Sequence, residues 1–161
     1  ASPEKFGGVL PIMGGSKPSY NMSTGIAVDE SIVSEFNDFK LRSKYRYMIL
    51  GLTADNKSIT LLKAADPSAS YADFLAELPA DDCRYAVLKF DYDAGSDGNR
   101  SKIVFFMWAP DTSKTKSKMM YAGSKDSIKK ALQGIQIEIQ GTDASEVSEE
   151  EVLNKCKAIS K

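Results

Sequence analysis

The sequence predicts a mixed α/β (α+β) domain, one five-stranded mixed sheet with helices on both faces. Three observations lead there. Apolar residues recur at helical spacing in four stretches, and short apolar or alternating runs of strand length lie between them. Their order is helix, two strands, helix, two strands, long helix, strand, helix, which a single layered domain satisfies. With 161 residues, 42% apolar and 27% charged, the chain can bury one sizeable core.

Residues 1–22 carry Pro3, Pro11, Pro18, Gly7-Gly8 and Gly14-Gly15 with no regular period. They predict a flexible extension, natural or left by cloning, ahead of a domain over 23–161. Ile32, Val33, Phe36 and Phe39 then fall at helical spacing behind Asp29 and Glu30, which complement a helix dipole. Tyr45–Leu52 is an apolar run of strand length, and Ser58–Lys63 follows an Asp55-Asn56 turn as a second strand. Ser70 and Asp73 have capping-box spacing for a short helix whose apolar face is Tyr71, Phe74, Leu75 and Leu78, stopped by Pro79.

Ala86, Leu88, Phe90 and Tyr92 alternate with Lys89 and Asp91, the pattern of a half-buried strand. A polar turn over Asp93–Asn99 leads to Ile103–Ala109, apolar on both parities and therefore a central strand covered on both sides. Ser113–Gln133 is the longest helix, rich in lysine and methionine. Ile135, Ile137 and Ile139 alternate with polar residues as a strand with one wet face. Ser148 and Glu151 then form a capping box, with Val147 and Val152 spaced as a hydrophobic staple, for a last helix reaching about Ile159.

Several chemistries lack their residues. The chain has no histidine, which removes the commonest general base and metal ligand together. No phosphate-cradling GxxxxGK[ST], no GxGxxG and no nucleophile elbow occurs. Asp91-x-Asp93-x-Gly95 opens like a calcium loop, but Ser96 and Lys102 stand where that loop needs Gly and Glu, so a hairpin turn is the better reading. Cys83 and Cys156 read as free thiols of a reducing cytosol, and Cys83 as a buried structural thiol despite its neighbour Arg84. The sequence therefore predicts no enzyme, metal site or cofactor. Lys+Arg number 21 and Asp+Glu 22, a balance that argues against a nucleic-acid binder. No apolar run approaches the ~20 residues of a membrane span, and the N-terminus has no signal-peptide stretch.

What stands out is basic. Lys114, Lys116 and Lys118 precede Met119-Met120-Tyr121, and Lys125, Lys129 and Lys130 follow on the same helix. One reading is a solvated face over a core stripe of Met120, Ser124, Ile128 and Leu132. The other is an adaptable apolar patch with a charged rim that meets a partner.

Taken in order, several segments resemble the cofilin/ADF family of actin-depolymerising proteins. They are Thr24-Gly25-Ile26-Ala27-Val28, Phe36-Asn37-Asp38-Phe39-Lys40-Leu41, Leu78-Pro79, Asp82-Cys83-Arg84-Tyr85-Ala86, Arg100-Ser101-Lys102-Ile103-Val104-Phe105-Phe106 and Trp108-Ala109-Pro110-Asp111. Lys116-Ser117-Lys118-Met119-Met120-Tyr121-Ala122, Ser124-Lys125-Asp126-Ser127-Ile128-Lys129-Lys130, Gly134-Ile135-Gln136 and Gln140-Gly141-Thr142-Asp143 complete the series. The resemblance covers Ser23 to about Lys157.

It implies the ADF-homology fold and a monomer that binds monomeric and filamentous actin, prefers ADP-actin, and severs and depolymerises filaments. It assigns actin binding to Ser23, Thr24, Gly25 and Ile26 and, on the long helix, to Lys116, Lys118, Met119, Ser124, Ile128, Lys129 and Leu132. It assigns a filament-specific surface to Arg100, Lys102 and Lys155, and makes Ser23 and Thr24 candidate phosphorylation sites. It further implies a phosphoinositide membrane surface as a competing partner of the lysines, and a cytoplasmic place on the actin cytoskeleton with nuclear entry alongside actin. A non-severing relative of the same fold is the alternative. Gly123, Asn154 and Ile137 depart from the family pattern, which commonly has serine, an acidic residue and, in some members, histidine there.

Overall fold

Among the described residues, six strands, not five, form the sheet. The computed structural model describes residues 26–159, so the expected extension and Ser23, Thr24 and Gly25 lie outside the described residues. The elements in chain order are β1 (Ala27–Val28), α1 (Glu30–Arg42), β2 (Tyr47–Leu52), β3 (Ser58–Ala65), α2 (Tyr71–Ala76) and β4 (Arg84–Asp93). They continue with β5 (Asn99–Trp108), α3 (Thr115–Ala131), β6 (Ile137–Gly141) and α4 (Glu149–Ile159). The sheet order is β1-β3-β2-β4-β5-β6, with β1/β3 and β5/β6 parallel and the other pairs antiparallel.

The sixth strand is β1. Two residues have no periodicity to read, and only pairing with a distant segment, Ala27 opposite Ser58 and Val28 opposite Ile59, makes them a strand. The hairpin between β4 and β5 is tighter than the polar run suggests. Its turn closes with Ala94 N–H donating to the Gly98 carbonyl at 2.8 Å, and Gly95 and Gly98 supply the positive φ of 70° and 78°. Asn99–Ser101 can then pair with Asp91–Asp93 although, of these residues, Tyr92 alone is buried in the core. At the other end, Ile135 belongs to the connection rather than to β6. Gly134 turns the chain at φ 113°, and Gln136 clasps Ile103 through N–H to carbonyl and N–H to Oε1 bonds, both 2.9 Å, before β6 begins.

Each side of the sheet has its own core. Phe36 and Phe39 of α1 pack with Tyr121 and Ile128 of α3 on one side; Tyr71 and Phe74 of α2 pack with Val152 and Cys156 of α4 on the other. β5 serves both, giving Ile103, Phe105 and Met107 to the first and Val104, Phe106 and Trp108 to the second. This is the two-sided burial expected from its continuous apolar run. Cys83 and Cys156 are both free thiols with no exposed surface.

The Ser70–Asp73 start is complete, whereas the expected Ser148–Glu151 box is formed in one half only. Ser70 and Asp73 form a reciprocal capping box at 3.1 and 2.9 Å. Asp29 accepts the Ser31 N–H at 3.0 Å, and Ser148 Oγ accepts the Glu151 N–H at 3.2 Å. Val147 and Val152 are both buried in the α2/α4 core.

Candidate functional site: the outer face of α3

A parallel β5–α3–β6 crossover lays α3 across the sheet on the side of α1. Tyr121, Ser124, Ser127, Ile128 and Ala131 of the helix, and Leu132 at its end, turn inward and are buried. Lys116, Met119, Ala122, Gly123, Asp126 and Lys130 turn outward. Met119 is 68% exposed, an unusual place for a long apolar side chain.

Several bonds hold this helix in place. The Tyr85 hydroxyl donates to the Tyr121 carbonyl, and the Tyr121 hydroxyl accepts the Leu52 N–H at 2.9 Å. Burial raises the pKa of both phenols, so both hydroxyls keep their protons at neutral pH. A Cβ on Gly51 would come within 2.7 Å of Leu62 Cδ1 and 3.1 Å of Tyr121 Oη, so glycine lets the strand and the helix approach. At the far end, Lys40 of α1 donates to the Gln133 carbonyl at 2.6 Å, a cation placed where the helix dipole favours one.

The start of α3 is the reverse case. Its first turn has no acidic residue, no side chain caps Lys114, and Lys116 and Lys118 sit close to the positive end of the dipole. Such an arrangement costs a few tenths of a kcal/mol to ~1 kcal/mol per cation. Helix stability therefore does not explain these lysines, and this opposition to the dipole is a signal that sequence patterning alone passes over. Lys118 finds one compensating bond, to the Asp111 carbonyl at 3.2 Å.

The assigned residues divide by position. Lys116 and Met119 are exposed and Lys118 is half-buried. Ile26, Ser124, Ile128 and Leu132 have 2%, 0%, 0% and 1% of their surface exposed, so in the free chain their side chains lie in the core and not on the outer face. Helical geometry gives the reason for Ile128: it lies nine residues after Met119, and at ~100° per residue the two point to opposite sides. These four side chains support the surface from beneath. The core stripe read from periodicity is the arrangement found for Ser124, Ile128 and Leu132, with Met120 half-buried against the same core.

Lys129 is engaged within the chain. Glu138 of β6 binds Lys125 Nζ at 2.8 Å through one carboxylate oxygen and Lys129 through the other. Partial burial alone would raise the Glu138 pKa, but hydrogen bonds and charge from the two lysines outweigh it and hold the carboxyl below its usual range.

The second basic group lies on the other side of the sheet. Arg100 and Lys102 share the parity of Val104 and Phe106, which places them on the side of α4. Arg100 is exposed, with Asp97 at 3.8 Å, and Lys102 is half-buried. Lys102 is close enough to the Cys156 thiol to oppose, by its charge, the upward pKa shift that burial causes. Lys155, adjacent in sequence to Cys156, is exposed on α4. Arg100 and Lys102 thus lie on the α4 side of the sheet, away from Lys116 and Met119, and Lys155 belongs to α4 itself.

Residues 25–157 match a family model described as cofilin/tropomyosin-type actin-binding protein. The chain is 50% identical over 133 residues to the cofilin of Eremothecium gossypii, covering 82% of this chain and 92% of that one. It is 47% identical over 135 residues to the actophorin of Acanthamoeba castellanii, covering 83% and 96%. Among solved structures, the crystal structure of Streptomyces griseoflavus cofilin aligns at TM-score 0.78 and 45% identity, covering 83% of this chain and 98% of that one.

Proposed function

The chain belongs to the cofilin/ADF family of actin-binding proteins, and from that premise we propose that it binds monomeric and filamentous actin and severs and depolymerises filaments. The family acts by binding and is not enzymatic. The observation that carries the reading is the outward face of α3, where Met119 stands 68% exposed beside Lys116. An exposed methionine can fill an apolar cleft while lysines meet acidic groups around it. Residues 23–25 precede Ile26 in sequence, and Ile26 packs in the core shared with α3.

Arg100, Lys102 and Lys155 support the filament part of the reading. A surface on the opposite side of the sheet lets one molecule engage a second actin subunit. A protein that binds one filament state better than another shifts the filament toward it, and weakened subunit contacts follow without any bond-making chemistry. A preference for ADP-actin is the same differential binding applied to nucleotide state.

Phosphorylation of Ser23 or Thr24 would add about −1.5 to −2 charge at the approach to actin and oppose docking. The exposed Lys114, Lys116 and Lys130 favour a second, overlapping use, an anionic phosphoinositide surface that competes with actin. Sedimentation of phosphoinositide vesicles with and without actin separates the two. The proposed location is the cytoplasmic actin cytoskeleton, with passage to the nucleus in company with actin, and the proposed state is a monomer.

The deciding experiment is disassembly of pyrene-labelled filaments by this chain and by a Lys116→Ala/Lys118→Ala variant. Acceleration by the parent that the variant loses supports the activity and its surface together. Filament binding by the parent without acceleration identifies the non-severing alternative, and no binding to actin overturns the proposal.

A further inference from the structure

We infer that Glu138 is a positioning residue that sets the selectivity of the α3 face for a protein partner over a diffuse anionic surface. The inference rests on the reading of α3 as an actin-binding helix. Lys125 and Lys129 lie four residues apart on one side of α3, and both reach the carboxylate of Glu138. Strand parity directs that carboxylate: Ile137 and Ile139 enter the α2/α4 core, so Glu138 between them faces α3. The side chains of Lys125, Lys129 and Glu138 are only 22%, 32% and 28% exposed.

β6 is an edge strand, bonded to β5 alone. The clamp is therefore a lateral tie between the helix and the margin of the sheet. It acts alongside the inner tie from Tyr85 and the terminal tie from Lys40. Two effects follow. Lys116, Met119 and Lys130 are presented from a helix whose sideways placement is held, which favours a partner read by shape. At the same time two lysines are bound inward, and the cluster carries a net charge of +1 rather than +2 (two ammonium groups less one carboxylate). A partner read by charge alone, such as an anionic membrane, gains least from that arrangement.

Glu138→Gln separates these effects because it keeps the shape and removes the charge. Actin-monomer affinity is expected to fall about three- to tenfold, the range for one or two partly exposed ion pairs. Binding to vesicles of phosphatidylserine in phosphatidylcholine is expected to rise about fivefold, the increment for one added unit of positive charge near such a surface. A steeper salt dependence should accompany that rise. Lys125→Gln/Lys129→Gln removes the same tie but lowers the positive charge, so it should weaken both. Glu138→Asp is expected to restore most of the actin affinity.

A merely structural role would move both affinities of Glu138→Gln downward in step with its melting temperature, and that result overturns the inference. Unchanged affinities overturn it too. If the parent itself fails to bind actin, the proposed function fails, while a vesicle affinity that does not rise in Glu138→Gln counts against the clamp on its own.

Discussion

The Tyr85 hydroxyl donates to the main-chain carbonyl of Tyr121, and the two rings lie 4.9 Å apart, joining the buried centre of the sheet to the middle of α3. Tyr121 then passes the link onward through its own hydroxyl, which accepts the Leu52 N–H at the end of β2. Removing either hydroxyl has different consequences. The Tyr121 carbonyl lies within a helix and keeps an intrahelical donor, so Tyr85→Phe should cost about 1 kcal/mol. Tyr121→Phe leaves a strand N–H without its acceptor and should cost about 1–2 kcal/mol. Urea unfolding with an unchanged slope would check both values, and the order Tyr121→Phe above Tyr85→Phe is the discriminating result.

Met119 and Ile128 should behave as opposites. Met119→Ala, at a site 68% exposed, should alter stability by no more than about 0.5 kcal/mol while weakening actin binding roughly tenfold. Ile128→Ala empties a fully buried site and should cost about 2–5 kcal/mol. Thermal unfolding and actin-monomer titration on the same two variants give the answer. If Ile128→Ala were as stable as the parent, the inward placement of that face would be wrong.

Arg100→Ala/Lys102→Ala should spare monomer binding and weaken filament co-sedimentation about tenfold or more, since these residues lie on the α4 side, away from Met119. Equal loss in both assays would mean that the two basic groups serve one surface.

Stability should fall at both ends of the pH scale for different groups. Glu138 titrates below the usual carboxylate range in the folded chain, so its contribution is present above that range and disappears as pH falls through the depressed value. Asp82 acts the same way: burial would raise it, but hydrogen bonds from Arg84 and the Cys83 N–H prevail. Tyr47 runs in the other direction. Burial first, and then its 3.1 Å hydrogen bond to Glu77, push it up to about 12 from an ordinary value of 10. Its contribution is complete below pH 10 and is lost as pH rises through 12, at up to ~1.4 kcal/mol per pH unit. Tyr47→Phe should flatten that alkaline slope in urea midpoints measured across the interval; an identical slope would show that other buried tyrosines dominate it.

Much of the architecture was legible because it is written over short distances. The Ser70–Asp73 box needs four residues, and the stripe of Ser124, Ile128 and Leu132 needs little more than two helical turns. The two-sided apolar run of β5 announces its burial directly. The site was legible in part. Motif resemblance marked Lys116, Lys118 and Met119, which lie outward or half-buried, but it marked Ile26, Ser124, Ile128 and Leu132 equally. A motif records that a position matters and does not say whether it matters from inside or outside. Glu138 went unnoticed because nothing local distinguishes a glutamate on the wet face of a strand from any other.

By itself the sequence determined the kinds of element, their order, both hydrophobic faces of the central strand, and family membership. Hydrophobic period and capping chemistry act between residues a few positions apart, so a single chain segment suffices to express them. Only the tertiary structure decided that Ala27–Val28 is a strand, which assigned residues of α3 face outward, and that Lys125 and Lys129 share one carboxylate. Those outcomes depend on hydrogen bonds, burial and ion pairs between segments brought together by folding, and these are properties of the folded arrangement rather than of any local run of residues.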